Sequence, residues 1–104
     1  MKTLVQLCLE TSRRIKDGRG YLTILAKATE EMGELAQEAL IETGQHYKPP
    51  GNDGVVGEAL DTLVCCIDMI NKKCPNITEE ELIPLLISKL GKWETEFEKR
   101  LTGG

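Results

Sequence analysis

Aromatic side chains are scarce in this sequence, with one Trp, two Tyr and one Phe in 104 residues. No stretch sustains an apolar–polar alternation of period two, so no strand is expected. There is one histidine, His46. The Glu-x-x-His pairs of a ferritin-like di-iron centre, the nearest competing cofactor site in a helical bundle, are therefore absent. The four cysteines, Cys8, Cys65, Cys66 and Cys74, include no C-x-x-C and match no zinc spacing. Buried, reduced thiols in a cytosolic protein are expected instead. Basic runs are missing and the formal charge is −4. A nucleic-acid polymer is thus a poor partner, since affinity for it comes from neutralised phosphates. A long apolar run is missing too. Glu10, Arg13 and Arg14 interrupt the N-terminal segment, which reads as neither signal peptide nor membrane span. A cytoplasmic protein with no membrane partner is expected.

Leu, Ala, Glu and Lys dominate what remains, and these favour helix. The length implies a single domain, 1–104, with a modest core that homo-oligomerisation would complete. Four helical stretches stand out. The first spans about 2 to 17 and ends at Gly18 and Gly20. The second runs from about Tyr21 to Thr43, with Leu22, Leu25, Ala28, Met32, Leu35, Ala36 and Ala39 at helical spacing and Gly44 as its stop. QHYKPPGNDG then reads as a loop. The third begins near Asn52 or Asp53 and runs to about Lys73. It is apolar nearly all round, which predicts the most buried element. Thr78 and Glu81 form a capping box for the fourth, about 79 to 101, and Pro84 predicts a kink near 80 to 84. The fold class is all-α, a four-helix bundle.

The segment TEEMGELAQE crowds Glu30, Glu31, Glu34 and Glu38 together with no basic residue among them. Like charges one turn apart destabilise a helix. At about 100° per residue, Glu31, Glu34 and Glu38 share an arc of roughly 60° with Lys27. This arc borders the apolar stripe centred on Met32, Ala36 and Ala39. On the third helix Glu58 and Asp61 share an edge, with Asp68 near it, in otherwise apolar surroundings. Buried charges need a partner. A cation held between the second and third helices would neutralise Glu31, Glu34, Glu58 and Asp61 together, and an all-oxygen site favours Mg²⁺, Mn²⁺ or Ca²⁺. Taken alone, TEEMGELAQE reads equally well as a solvated face. For Glu58 and Asp61 the competing explanation is a salt bridge to Lys27, Lys89 or Lys92.

E-E-x-x-E followed by E-x-x-D resembles the signature of the all-α nucleoside triphosphate pyrophosphohydrolases, and the chain looks like a small MazG-like protein. Here the motif reads Glu30-Glu31-Met32-Gly33-Glu34 and Glu58-Ala59-Leu60-Asp61. GELAQE, GEALDTLV and a late KLGKWE extend the likeness over about residues 20 to 95. The resemblance implies Mg²⁺-dependent hydrolysis of a nucleoside triphosphate between the α and β phosphates, with Mn²⁺ as a substitute ion. The products are the monophosphate and pyrophosphate. It makes Glu31, Glu34, Glu58 and Asp61 the metal ligands and gives Glu30 a role in orienting the attacking water. It implies a homodimer or homotetramer. Lys27, Lys89 and Lys92 are the candidates to hold phosphates, Lys48 a weaker one, and Trp93 a candidate to stack on a base. The tandem catalytic domain of larger members is missing. The alternative from another class is a helical interaction module whose acidic face binds a basic partner.

Overall fold

The computed structural model describes residues 1–15 and 17–103. The architecture is all-α: α1 (Leu4–Arg14), α2 (Tyr21–Glu42), α3 (Gly54–Lys73) and α4 (Glu79–Leu101), with no strand among the described residues. Among the described residues no helix is long and apolar enough to cross a membrane.

Local sequence explains the boundaries. α1 is shorter than the expected 2 to 17, because Thr3 is its N-cap. The Thr3 hydroxyl accepts from the Gln6 N–H at 3.1 Å, and the Gln6 side chain accepts from the Thr3 N–H at 3.0 Å. That is a capping box with glutamine in the acid's place. Ile15 turns extended and ends the helix; Lys16 lies outside the described residues. α2 stops where Gly44 takes a left-handed φ of 74°. The Gln45 N–H then reaches the Leu40 carbonyl at 2.8 Å and the Gly44 N–H reaches Ile41 at 3.1 Å, the double closure that glycine permits at this position.

Asp53 holds the N-cap position of α3 but its side chain caps nothing. The Glu42 carboxylate does so from across the loop, accepting from the Val55 N–H at 3.3 Å. Thr78 and Glu81 cap α4 reciprocally, as the sequence predicts. α4 runs unbroken through Pro84. The carbonyl that Pro84 cannot bond belongs to Glu80, an exposed residue within reach of solvent.

Packing departs from expectation in three places. The main interface joins α2 to α3, and α1 packs on α3. α4 makes no extensive contact with any helix and buries no residue. Among the described residues the buried apolar core is Leu9, Ile24 and Ile67. Second, α2 turns its acidic edge inward: Ile24, Glu31 and Glu38 are its buried residues, while Met32 is 53% exposed and Leu22, Leu25 and Leu40 also face out. Helical spacing fixes which residues share a face, but the neighbouring helix decides which face is covered. Third, α3 is not buried all round. Ile67, Asp68 and Asn71 are covered, but Val56, Leu60 and Val64 are exposed. None of the four cysteines is buried as expected: Cys66 and Cys74 are exposed, Cys8 and Cys65 half-buried, and all four are free thiols.

The single chain is consequently open. Its radius of gyration is 16.7 Å, against about 13 Å for a compact chain of this length. An apolar groove of about 540 Å³, lined by residues including Leu63, Ile70, Leu82 and Leu86, lies between α3 and the base of α4.

Candidate metal centre

The α2–α3 interface brings together one carboxylate oxygen each from Glu31, Glu34 and Glu58, all within 4.8 Å of one another. Glu31 and Glu34 lie nearly one turn apart on α2, and α3 presents Glu58 across from them. Glu31 is only 6% exposed. Its Oε2 and the Oε2 of Glu58 are fully covered and have no hydrogen-bond partner.

The local electrostatics are one-sided. Burial, with the charges of Glu34, Asp61 and Glu31, pushes the Glu58 carboxyl above the ordinary carboxylate range. Lys27 is the cation at hand. Its Nζ lies 2.9 Å from Glu31 Oε1 and 3.7 Å from Glu30 Oε1. The hydrogen bond to Glu31 and the charge of Glu30 raise its pKa. Lys27 reaches neither unpartnered oxygen, and no ion pair is formed by Glu34, Glu58 or Asp61 among the described residues. The salt bridges weighed for Glu58 and Asp61 are therefore not made in this chain.

Asp61 is exposed and stands outside the triad of close oxygens, although its charge acts on Glu58. Glu30 is exposed at the rim beside Lys27. Lys89, Lys92 and Trp93 lie on α4, away from the α2–α3 interface. Lys48 is exposed on the loop, where its N–H reaches His46 Nδ1 at 3.1 Å. His46 and Tyr47 stack on each other with centroids 4.9 Å apart, and Tyr47 is open to solvent.

Three features are not legible in the motif. Glu38 is buried and accepts from the Gly51 N–H at 2.6 Å, which ties the loop to α2. A Cβ at Gly51 would lie 2.6 Å from that same oxygen, so a larger residue there would make the Glu38 side chain shift. The other Glu38 oxygen is covered and unpaired. Asp68, one further acid on α3, is fully partnered. Arg19 donates to it at 2.6 Å and Ser12 donates to its other oxygen. Asn71 joins Ser12 at 2.8 Å and accepts from Arg13 at 3.0 Å. Cys65 sits beside Glu31, and burial together with the Glu31 charge pushes its thiol up, which keeps it protonated and inert.

Comparison of the chain with protein-family models, with curated proteins and with solved structures finds no match.

Proposed function

We propose that the chain is a MazG-like nucleoside triphosphate pyrophosphohydrolase that works with Mg²⁺, or Mn²⁺ in its place. The observation that carries the reading is the pair of buried, unpartnered oxygens on Glu31 and Glu58, which converge with Glu34 from two helices. Leaving charged oxygens buried without a partner is expensive. A hard divalent ion is the partner that three closely spaced carboxylates fit, because it takes oxygen ligands and accepts several of them. Glu31, Glu34 and Glu58 would hold it, with the Asp61 charge adding to the field at Glu58.

Such an ion polarises phosphoryl oxygens and offsets the charge of the leaving pyrophosphate. The protein's own groups do the rest. One oxygen each of Glu31 and Glu58 is shielded from bulk water. Glu30, exposed at the rim, is placed to accept a proton from water approaching the site. Lys27 stands next to the triad with an exposed stem and offers a positive contact to a triphosphate. No serine or cysteine nucleophile is required, in keeping with the protonated Cys65 thiol. The proposed setting is the cytoplasm.

The experiment is release of pyrophosphate from a panel of deoxynucleoside triphosphates with Mg²⁺. Turnover should appear with at least one nucleotide. Glu34→Gln should lower it by on the order of 100-fold or more, the scale of losing one charge-stabilising group. Turnover by none of the panel, together with no affinity for Mg²⁺, would instead favour the helical interaction module.

A further inference from the structure

All four helices and the α3–α4 connector contribute to the groove beside the base of α4. Val5 of α1, Tyr21 at the start of α2, Leu63 and Ile70 of α3, Ile77 of the connector and Leu86 of α4 line its space of about 540 Å³. Ligand pockets run from roughly 300 to 1,000 Å³ and are mostly apolar, with a few placed polar groups. Among the described residues no acid lines this one, and its charged members are Lys73 and Lys89. At Tyr21 and Lys73 the groove meets a second cavity of about 330 Å³, lined otherwise by Arg19, Gly20 and Lys72. Arg19 is held by Asp17 and Asp68. Lys72, Lys73 and Lys89 form no ion pair among the described residues. In a chain of net charge −4, one end of an apolar slot is therefore locally cationic.

We infer that the groove binds a fatty acid, with the hydrocarbon chain in the slot and the carboxylate at the mouth formed by Lys72 and Lys73. The inference goes beyond the proposed reaction and stands whether or not a cation binds at Glu31, Glu34 and Glu58. Length sets the class of chain. Leu63 and Lys73 both line the groove, and the ten residues between them rise about 15 Å along α3. An extended acyl chain of medium length, such as that of dodecanoate, suits this span. Each methylene taken from water adds to affinity in proportion to the apolar area covered.

The chemistry of the walls selects this occupant. A peptide segment would carry its backbone N–H and C=O groups into the slot. There the polar side chains are the Tyr21 hydroxyl, the Cys74 thiol and two lysine heads, too few to partner a backbone. A hydrocarbon chain brings no such groups. The charge pattern selects the head. A carboxylate beside Lys73 gains charge-assisted hydrogen bonds, and Tyr21, shared by both cavities, offers a further donor. An ammonium head would meet Lys72 and Lys73 as like charges. Lys89 lies two turns beyond Leu82 on α4, away from the connector. Its stem suits the far end of the tail, with the ammonium left in water.

Isothermal titration of dodecanoate into the full chain, below the concentration at which it forms micelles, tests this. The wild type should bind it saturably, and decanoate about tenfold more weakly for the two methylenes lost. Lys73→Glu should weaken dodecanoate about tenfold or more and leave dodecanol unchanged, a split that a general loss of structure would not produce. Lys73 is exposed and makes no ion pair, so the fold does not depend on it. Leu86→Glu should abolish binding of both with the helical circular dichroism retained, since α4 buries no residue within its own chain. Bound dodecanoate should also slow alkylation of Cys74, a free thiol in the groove wall. A wild type that takes up no dodecanoate overturns the inference and leaves the groove to another protein surface. Dodecanol binding as tightly as dodecanoate overturns the cationic mouth, and an unchanged rate at Cys74 overturns the location. Attachment to phosphatidylglycerol vesicles without uptake of free dodecanoate overturns it in favour of a membrane surface. None of these readouts involves Mg²⁺ or turnover, so failure here leaves the proposed reaction standing.

Discussion

Two acids of α3, the buried Asp68 and the half-buried Glu58, meet opposite treatment. Asp68, 6% exposed, has Arg19 on one oxygen and Ser12 on the other. Glu58, ten residues earlier, meets two more glutamates and no cation of its own. Both belong to the same helix and touch its neighbours. The contrast separates a carboxylate that holds the fold together from one that the proposed reading gives to a cation. A partnered buried charge is strongly destabilising to break. Clustered, partly desolvated carboxylates repel each other, a cost that protonation or a bound cation relieves.

The widest gap should appear when the partnered acid is removed. Asp68→Ala leaves Arg19 and Ser12 facing an empty place at the α1–α3 contact. About 3 kcal/mol of stability should go, at the low end for a broken buried pair because Arg19 keeps Asp17 and some solvent. Thermal unfolding should drop by roughly 15 °C at this chain length, and Mg²⁺ should not restore it. A loss of only a degree or two would erase the distinction between the two groups.

The second effect has the opposite sign. Mg²⁺ at about a hundred times its dissociation constant should stabilise the wild type by roughly 2.7 kcal/mol. In Glu58→Gln that gain should vanish, while the metal-free variant is at least as stable as the metal-free wild type because one of three clustered charges has gone. An equal Mg²⁺ response in both proteins would mean that the ion sits elsewhere.

Gly51→Ala comes next. The added carbon would crowd the Glu38 oxygen that holds the loop, and about 1 kcal/mol should be lost. Calorimetry should show this with and without Mg²⁺, since Glu38 is no member of the triad. A Gly51→Ala protein of wild-type stability would mean that the loop can yield.

The smallest effect is a pH slope. The raised pKa of Glu58 means that the folded state keeps this proton to higher pH than the unfolded chain does. Stability from this group is therefore greatest below its ordinary pKa, about 4.3, and falls as pH rises through the raised value. Glu31, Glu34, Asp61 and Lys27 surround it and share the titration. Asp17 works in the opposite sense. Arg19 holds its pKa low, so its contribution is lost only in more acidic solution. In chelator, the wild type should gain a few degrees relative to Glu58→Gln as pH falls through the raised value. A relative loss would contradict the sign.

Much of this contrast was readable before any coordinates. The spacing of Glu31, Glu34 and Glu58 places three acids on two helix edges, and the Thr78–Glu81 box and Gly44 mark real helix ends. What the sequence withheld was long-range. Arg19 lies in a short connector, 49 residues from the Asp68 it neutralises, and nothing local announces that pairing. The apolar arc of Met32, Ala36 and Ala39 reads as core by composition, yet α3 covers the acidic edge beside it. Helix periodicity ranks faces relative to one another and is blind to which neighbour arrives. The exposure of α4 was equally hidden, because an amphipathic stripe looks the same whether its own chain or a second copy covers it.

The central claim is that Glu31, Glu34 and Glu58 form a cation site. Isothermal titration of Mg²⁺ and Mn²⁺ into the wild type and into Glu34→Gln tests it without reference to turnover. Saturable binding of at least one ion per chain, lost or weakened by on the order of 10- to 100-fold in the variant, is the expected result. A wild type that takes up neither ion at millimolar concentration, or a variant that binds as well as the wild type, would contradict the account.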